Sequence, residues 1–179
     1  MQENSVMKAQ AQQLALIVVV LGILMFLLSY LVDTSIVFKY WWLGILYQWI
    51  VPIGLSIYAV SNAKRKLNGF ISFKSALGTS VIGLIIGTTI VVLFNALMYN
   101  VIDTDFKAEM EEKTIEFTVQ FMERMGGADE QIDDSIALLE EKDQFGWKAQ
   151  FMGLTFISVF YLLISLIVAA AMKKNNPEF

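Results

Sequence analysis

The chain has 179 residues, of which 56% are hydrophobic and only 17% charged, with a mean hydropathy of +0.59. An average soluble domain carries roughly 25% charge to cover its surface, so this composition excludes an ordinary water-soluble globule and makes lipid the natural solvent. Cys and His are both absent, which excludes disulfides, thiolate nucleophiles, the usual zinc sites and imidazole acid–base chemistry.

Four runs without Asp, Glu, Lys or Arg follow one another: residues 14–32, 41–60, 76–102 and 149–172. About 20 such residues cross the roughly 30 Å hydrocarbon layer as a helix, so each run predicts one membrane span. The first run is too long for a signal h-region of about 7 to 15 residues, and Asp33-Thr34-Ser35 offers no small-residue cleavage site. It reads as a retained span. In the second run Gln48, Pro52 and Ser56 are tolerated interruptions, and Pro52 predicts a kink.

Basic residues in short loops set the orientation. The loop between spans two and three carries Lys64, Arg65, Lys66 and Lys74 with no acid, and Lys8, Lys173 and Lys174 lie on the same predicted side. Both termini are therefore expected in the cytoplasm. Residues 103–148 contain 14 acidic and 5 basic residues, net −9, and are expected outside, which in a bacterium is the periplasm. Tyr40, Trp41, Trp42, Tyr99 and Trp147 fall at the outer ends of these spans, as interfacial aromatics do.

The 103–148 segment is too long for a plain connector. Phe106, Met110, Phe117, Phe121 and Met125 recur at helical spacing, with Asp105, Glu109, Glu112, Glu116 and Glu123 on the other faces. Gly126-Gly127 ends this helix, and Asp129 is expected to cap a second one that buries Ile132, Ile136 and Leu139. The two helices are expected to bury their apolar stripes against each other and the bundle. Asp103-Thr104-Asp105 does not begin an EF-hand, because positions six and twelve are Ala108 and Thr114. The predicted fold class is thus an all-α membrane protein of four transmembrane helices, N-in and C-in, with an external acidic two-helix cap between spans three and four. Residues 1–179 form a single domain in this reading, with 103–148 inserted as the cap.

Within the spans the polar residues are neutral, including Gln48, Thr79, Ser80, Thr88, Thr89, Asn95, Asn100, Thr155, Ser158 and Ser165. Such groups mostly hydrogen-bond between helices, whereas an ion relay needs charge inside the membrane. Gln48, Thr88 and Asn95 are the candidates for a polar path. Gly78, Gly83 and Gly87 include a Gly-x-x-x-Gly spacing that predicts close helix packing or assembly, with span four, a second copy or another protein as its partner. No residue has an activating neighbour for nucleophilic catalysis, and no phosphate loop or nucleic-acid-binding patch is present, so neither an enzyme nor a cofactor or metal site is expected.

The segment Gly69-Phe70-Ile71-Ser72-Phe73-Lys74-Ser75-Ala76-Leu77-Gly78 leads into the glycine-rich third span. With the acidic helical hairpin, the Met-Gly-Gly-Ala break at 125–128 and a last span ending in Lys-Lys, the chain resembles the four-span family known as domain of unknown function 4199, found mainly in Bacteroidetes. The resemblance covers most of the chain and implies an inner-membrane protein of a Gram-negative bacterium. It carries no catalytic residues. It also brings an association with membrane-bound glycosyltransferases of the polyprenyl-phosphate type. Read physically, Asn68-Gly69 turns the chain, Phe70 and Phe73 sit at the interface, and Ser72 caps span three; alternatively Lys64, Arg65, Lys66, Phe70 and Phe73 form a cytoplasmic docking surface.

The function expected from the sequence is non-enzymatic: an accessory or scaffold subunit in the lipid bilayer that positions another membrane protein, such as an envelope glycosyltransferase, or associates with itself. The alternative is a small-molecule or lipid carrier that uses the neutral polar faces of spans two and three.

Overall fold

The computed structural model describes residues 2–174, and these are helical apart from short turns. In chain order the helices are α1 (Gln2–Leu31), α2 (Ile36–Lys39), α3 (Trp41–Ile45), α4 (Val51–Lys66), α5 (Phe73–Leu97), α6 (Thr104–Arg124), α7 (Asp129–Glu141) and α8 (Trp147–Met172). A π-helical turn, Leu46–Ile50, joins α3 to α4, and another, Met98–Ile102, extends α5. Four helical stretches are long and apolar enough to cross a membrane: Gln2–Leu31, Trp41–Lys66, Phe73–Ile102 and Trp147–Met172.

Helix α1 begins at Gln2, well before the apolar run. Hydropathy marks where lipid lies, whereas helical hydrogen bonding continues through a polar turn whose other face is packed. Met7 lies over Gly78, and Gln10 and Ala11 are buried. At 1.5 Å per residue its 30 residues extend about 45 Å, beyond the roughly 30 Å hydrocarbon layer.

Helix α5 is the spine. It packs against α1, α4 and α8, and α4 also touches α1 and α8. One core cluster, built on Leu14, Val60, Ile71, Leu84, Tyr161 and Val168, occupies the half of the bundle away from the cap. A second, aromatic cluster of Phe26, Met98, Tyr99, Phe106 and Met110 closes the cap end.

At the end opposite the cap the segments interlock. Asn68 and Gly69 turn the chain with φ of 55° and 87°, and Ser72 caps α5 by accepting the Ser75 N–H at 3.2 Å. The Glu3 carboxylate accepts the Ser72 N–H at 2.9 Å. Ile71 and Lys174 exchange two backbone hydrogen bonds of 2.9 Å, an isolated antiparallel bridge. Lys64 donates to the Met172 carbonyl at 2.9 Å, placing a cation at the C-terminus of α8, where the helix dipole favours it.

The cap is rooted by Asp103, which accepts the Phe106 N–H and the Tyr30 hydroxyl, each at 2.9 Å. These donors hold its carboxyl below the usual carboxylate range, with the backbone N–H of Phe106 the larger cause. Gly126, at φ +76°, ends the first cap helix as its sequence predicts. The second differs from expectation. Its N-cap is Ala128, which holds the extended conformation a cap requires, and Asp129 is the first helical residue. Its carboxylate acts there on the helix dipole instead of as a cap. Phe106 and Met110 near the root and Ile132 near the hairpin turn are buried, Phe117, Ile136 and Leu139 are half-buried, and Phe121 and Met125 are exposed, so the apolar stripes are only partly covered.

Candidate functional site

The neutral polar residues of the spans divide by what they bond to. Thr79, Thr89, Thr155 and Ser158 each return a hydroxyl to the carbonyl four residues earlier in their own helix. Ser80 bonds to Ser56 at 2.9 Å and to Ser165 at 2.6 Å, joining α4, α5 and α8 through three fully buried hydroxyls. Asn100 donates to the Ala96 and Phe145 carbonyls at 2.9 and 3.0 Å. Gln48, Thr88 and Asn95 remain, and they line a common cavity.

The cavity exists because of a break in span two. Pro52 has no N–H for the carbonyl of Gln48 four residues earlier, and the helix answers with the π turn Leu46–Ile50 immediately before it. Above the break, α3 and the π turn pack mainly on neighbouring segments of their own span and on α2, with Trp49 set edge-on against Phe160 of α8 at 4.2 Å between ring centroids, whereas α4 below packs on α1, α5 and α8. Within residues 41–50 only Tyr47 and Gln48 are even half-buried. The upper part of span two is thus a strut that touches the bundle through Tyr47 and Trp49 and is otherwise mostly exposed.

The gap behind it has a volume of about 350 Å³, within the range of small-molecule sites. Tyr47 and Gln48 face it from the strut, Thr88 and Asn95 from α5, and Gln150 and Tyr161 from α8. Its lining on α8 runs from Ala149 to Tyr161, about 18 Å along the helix axis. A narrower apolar gap sharing Val18, Tyr47 and Tyr161 continues down to Pro52. Gln144 and Phe145 form the roof. That corner is held by Asn100 on the Phe145 carbonyl and by Lys107, which pairs with Asp143 at 2.6 Å.

The walls are apolar with several uncharged hydrogen-bonding groups and no charged residue. Asn95 Oδ1 is buried and has no hydrogen-bond partner among the described residues. A buried acceptor left unpaired costs about 1–3 kcal/mol, a cost that a donor reaching it would recover. Chemically, the cavity suits a neutral, polar or amphipathic molecule that donates a hydrogen bond to Asn95.

The glycines serve another purpose. A Cβ at Gly83 would lie 2.8 Å from the Ala11 carbonyl oxygen and 2.7 Å from Leu14 Cδ2, and one at Gly87 would lie 2.8 Å from the Ala15 carbonyl oxygen. The Gly-x-x-x-Gly face is thus filled by α1 of the same chain, with Gly78 beneath Met7. Gly22 was not singled out by the sequence. It receives Val91, and a Cβ there would come within 2.5 Å of Val91 Cγ2. Of the basic loop, Lys64 is engaged with Met172 and Arg65 with Asn62, while Lys66 is exposed. Phe70 and Phe73 lie under Lys174 and Lys173, with the ammonium nitrogens 5.3 and 6.0 Å from the ring centroids.

Sequence reasoning missed Tyr47, Gln144, Gln150 and Tyr161 as partners of the polar trio. A usable signal was present: Gln150 lies in the first turn of the last span, at the same end of the bundle as Gln48 and Asn95.

All four spans, the cap and the cavity fall almost wholly within residues 13–174, which match the family model described as a protein of unknown function, DUF4199. The chain belongs to the DUF4199 family. Comparison with curated proteins and with solved structures gives no match. In this DUF4199 protein only the first turns of α1 lie ahead of the matched region.

Proposed function

We propose that this multi-pass membrane protein is a non-enzymatic binding protein, and that the cavity behind the span-two strut holds a neutral polar molecule or the headgroup region of a lipid for carriage. The observation that carries this reading is the unpartnered, buried Asn95 Oδ1 in a cavity shared with Gln48 and Thr88. The proposed setting is the cytoplasmic membrane of a Gram-negative bacterium, with both termini cytoplasmic and the cap periplasmic, supported by the net −9 of residues 103–148 and the acid-free basic loop. A membrane-impermeant thiol reagent should label Ser135→Cys only from the periplasmic side.

A second reading, an accessory subunit that positions a partner such as a membrane-bound glycosyltransferase, is favoured by the exposure of Arg65, Lys66 and Phe73 at the end opposite the cap. It no longer draws on the glycine face, which α1 occupies. Native mass spectrometry of protein released from nanodiscs separates the two. The binding reading expects a small molecule or lipid bound stoichiometrically, lost in Gln48→Leu and Asn95→Leu while helicity is unchanged. A stoichiometric membrane enzyme that stays bound in both variants would replace it with the accessory reading.

A further inference from the structure

The five bases of residues 103–148 are outnumbered by 14 acids, yet two of them, Lys113 and Arg124, converge on one groove with Lys39 from the turn after span one. The groove lies between α2, the start of α3 and one face of α6, and has a volume of about 340 Å³. Among the described residues Glu116 is the only carboxylate in its lining, and it is paired with Lys113 at 2.9 Å. The lining of a module that is strongly acidic overall thus carries three cations against one carboxylate, with Asp33 near Lys39 and Lys113, and Glu109 and Glu112 near Lys113, as the next acids out. Converging like charges are unfavourable unless an anion offsets them, and a concave surface focuses their field.

Its floor is aromatic. Phe38 and Phe117 lie 5.7 Å apart between ring centroids, and Phe117 and Phe121 6.1 Å. Phe121 and Trp41, also in the lining, are exposed. Trp41 begins the second span, at the depth where tryptophan marks the boundary between hydrocarbon and headgroups. A free anion would use the cations but not the aromatic floor. A phosphate carried on an apolar tail would use both.

We propose that this groove binds the phosphate of an anionic lipid at the cap-side membrane surface, with Lys39, Lys113 and Arg124 as the phosphate ligands and Phe38, Phe117 and Trp41 against the adjoining apolar segment. The site shares no residue with the cavity behind the strut, so it stands or falls independently of the proposed carrier function.

The test uses the full chain in nanodiscs of phosphatidylcholine, titrated with phosphatidylglycerol and read by native mass spectrometry. Phosphatidylglycerol should be retained in preference to phosphatidylcholine. The double variant Lys39→Gln/Arg124→Gln should weaken its retention about 25-fold, at roughly fivefold per neutralised cation. Lys142→Gln, a cap base outside the groove, should change nothing. Glu116→Gln provides the opposite sign, because removing the only carboxylate should tighten retention; this guards against a double variant that fails to fold. Equal retention of the two lipids, or loss of the same size in Lys142→Gln, overturns the proposal. Displacement of the lipid by millimolar inorganic phosphate would assign the site to a free anion and overturn it as a lipid site.

Discussion

Away from the cap, the bundle is close-packed: α1 lies on Gly83 and Gly87 with no room for a side chain, and Ser56, Ser80 and Ser165 tie three helices at a point from which solvent is excluded. Toward the cap the same helices part. Span two loosens its packing at its π turn, and the space behind it is walled by glutamines, tyrosines, Thr88 and Asn95, of which Asn95 keeps an unpaired acceptor. The difference shows how a membrane bundle without internal charge can still build a site. Small residues and paired hydroxyls secure one half, so that the other can hold a gap open without losing the fold.

The largest expected effect comes from the closed half. Gly83→Leu or Gly87→Leu would drive a side chain into α1, and a loss of about 3 kcal/mol or more is expected from such overpacking. Unfolding in mixed detergent should show the monomer itself destabilised. A variant that only dissociates from an oligomer would show that the glycine face serves assembly instead. Ser80→Ala comes next, because it removes both hydroxyl contacts and leaves Ser56 and Ser165 buried without their Ser80 partner, at a cost of about 1–3 kcal/mol. An unchanged unfolding midpoint would mean the serines are incidental to the closed half.

The open half is probed by Pro52→Ala, which restores the missing N–H and should draw the strut back toward a continuous α-helix. With Gln48→Cys as reporter in a chain that has no native cysteine, maleimide reactivity should fall several-fold in the alanine background. Equal reactivity would show that the proline does not create the gap. The smallest effect concerns the root of the cap. The Asp103 carboxyl is held below its ordinary value by the Phe106 N–H and the Tyr30 hydroxyl, so its contribution is present at neutral pH. It should decline only as the pH falls below the unfolded carboxylate value of about 4 and through the lowered native one. Amide exchange of α6 should therefore rise in acid, and Asp103→Asn should remove that part of the pH dependence.

Much of this architecture is visible along the chain because the membrane imposes local rules. A charge-free run must be a helix when no water is available to its backbone, so four runs gave four spans. The Ser72 cap and the Asn68-Gly69 turn were legible for the same reason, each being settled by its own side chain or backbone. Asp129 was misplaced by one residue because capping depends on which residue takes the extended conformation, and Ala128 does. The span at 14–32 did not show that α1 starts at Gln2, because hydropathy does not follow the polar turns that α5 covers.

The candidate site was legible only as a set of residue types. The sequence by itself determined that the spans carry neutral polar groups, that span two breaks near Pro52, and that α5 has one face able to meet another backbone. Only the tertiary structure decided that α1 takes that face, that the three serines meet one another, and that Gln48, Thr88 and Asn95 share a cavity. The reason is geometric. The helix period assigns each residue a face, but which faces meet depends on how residues far apart in the chain fill the same space, and no local pattern records that.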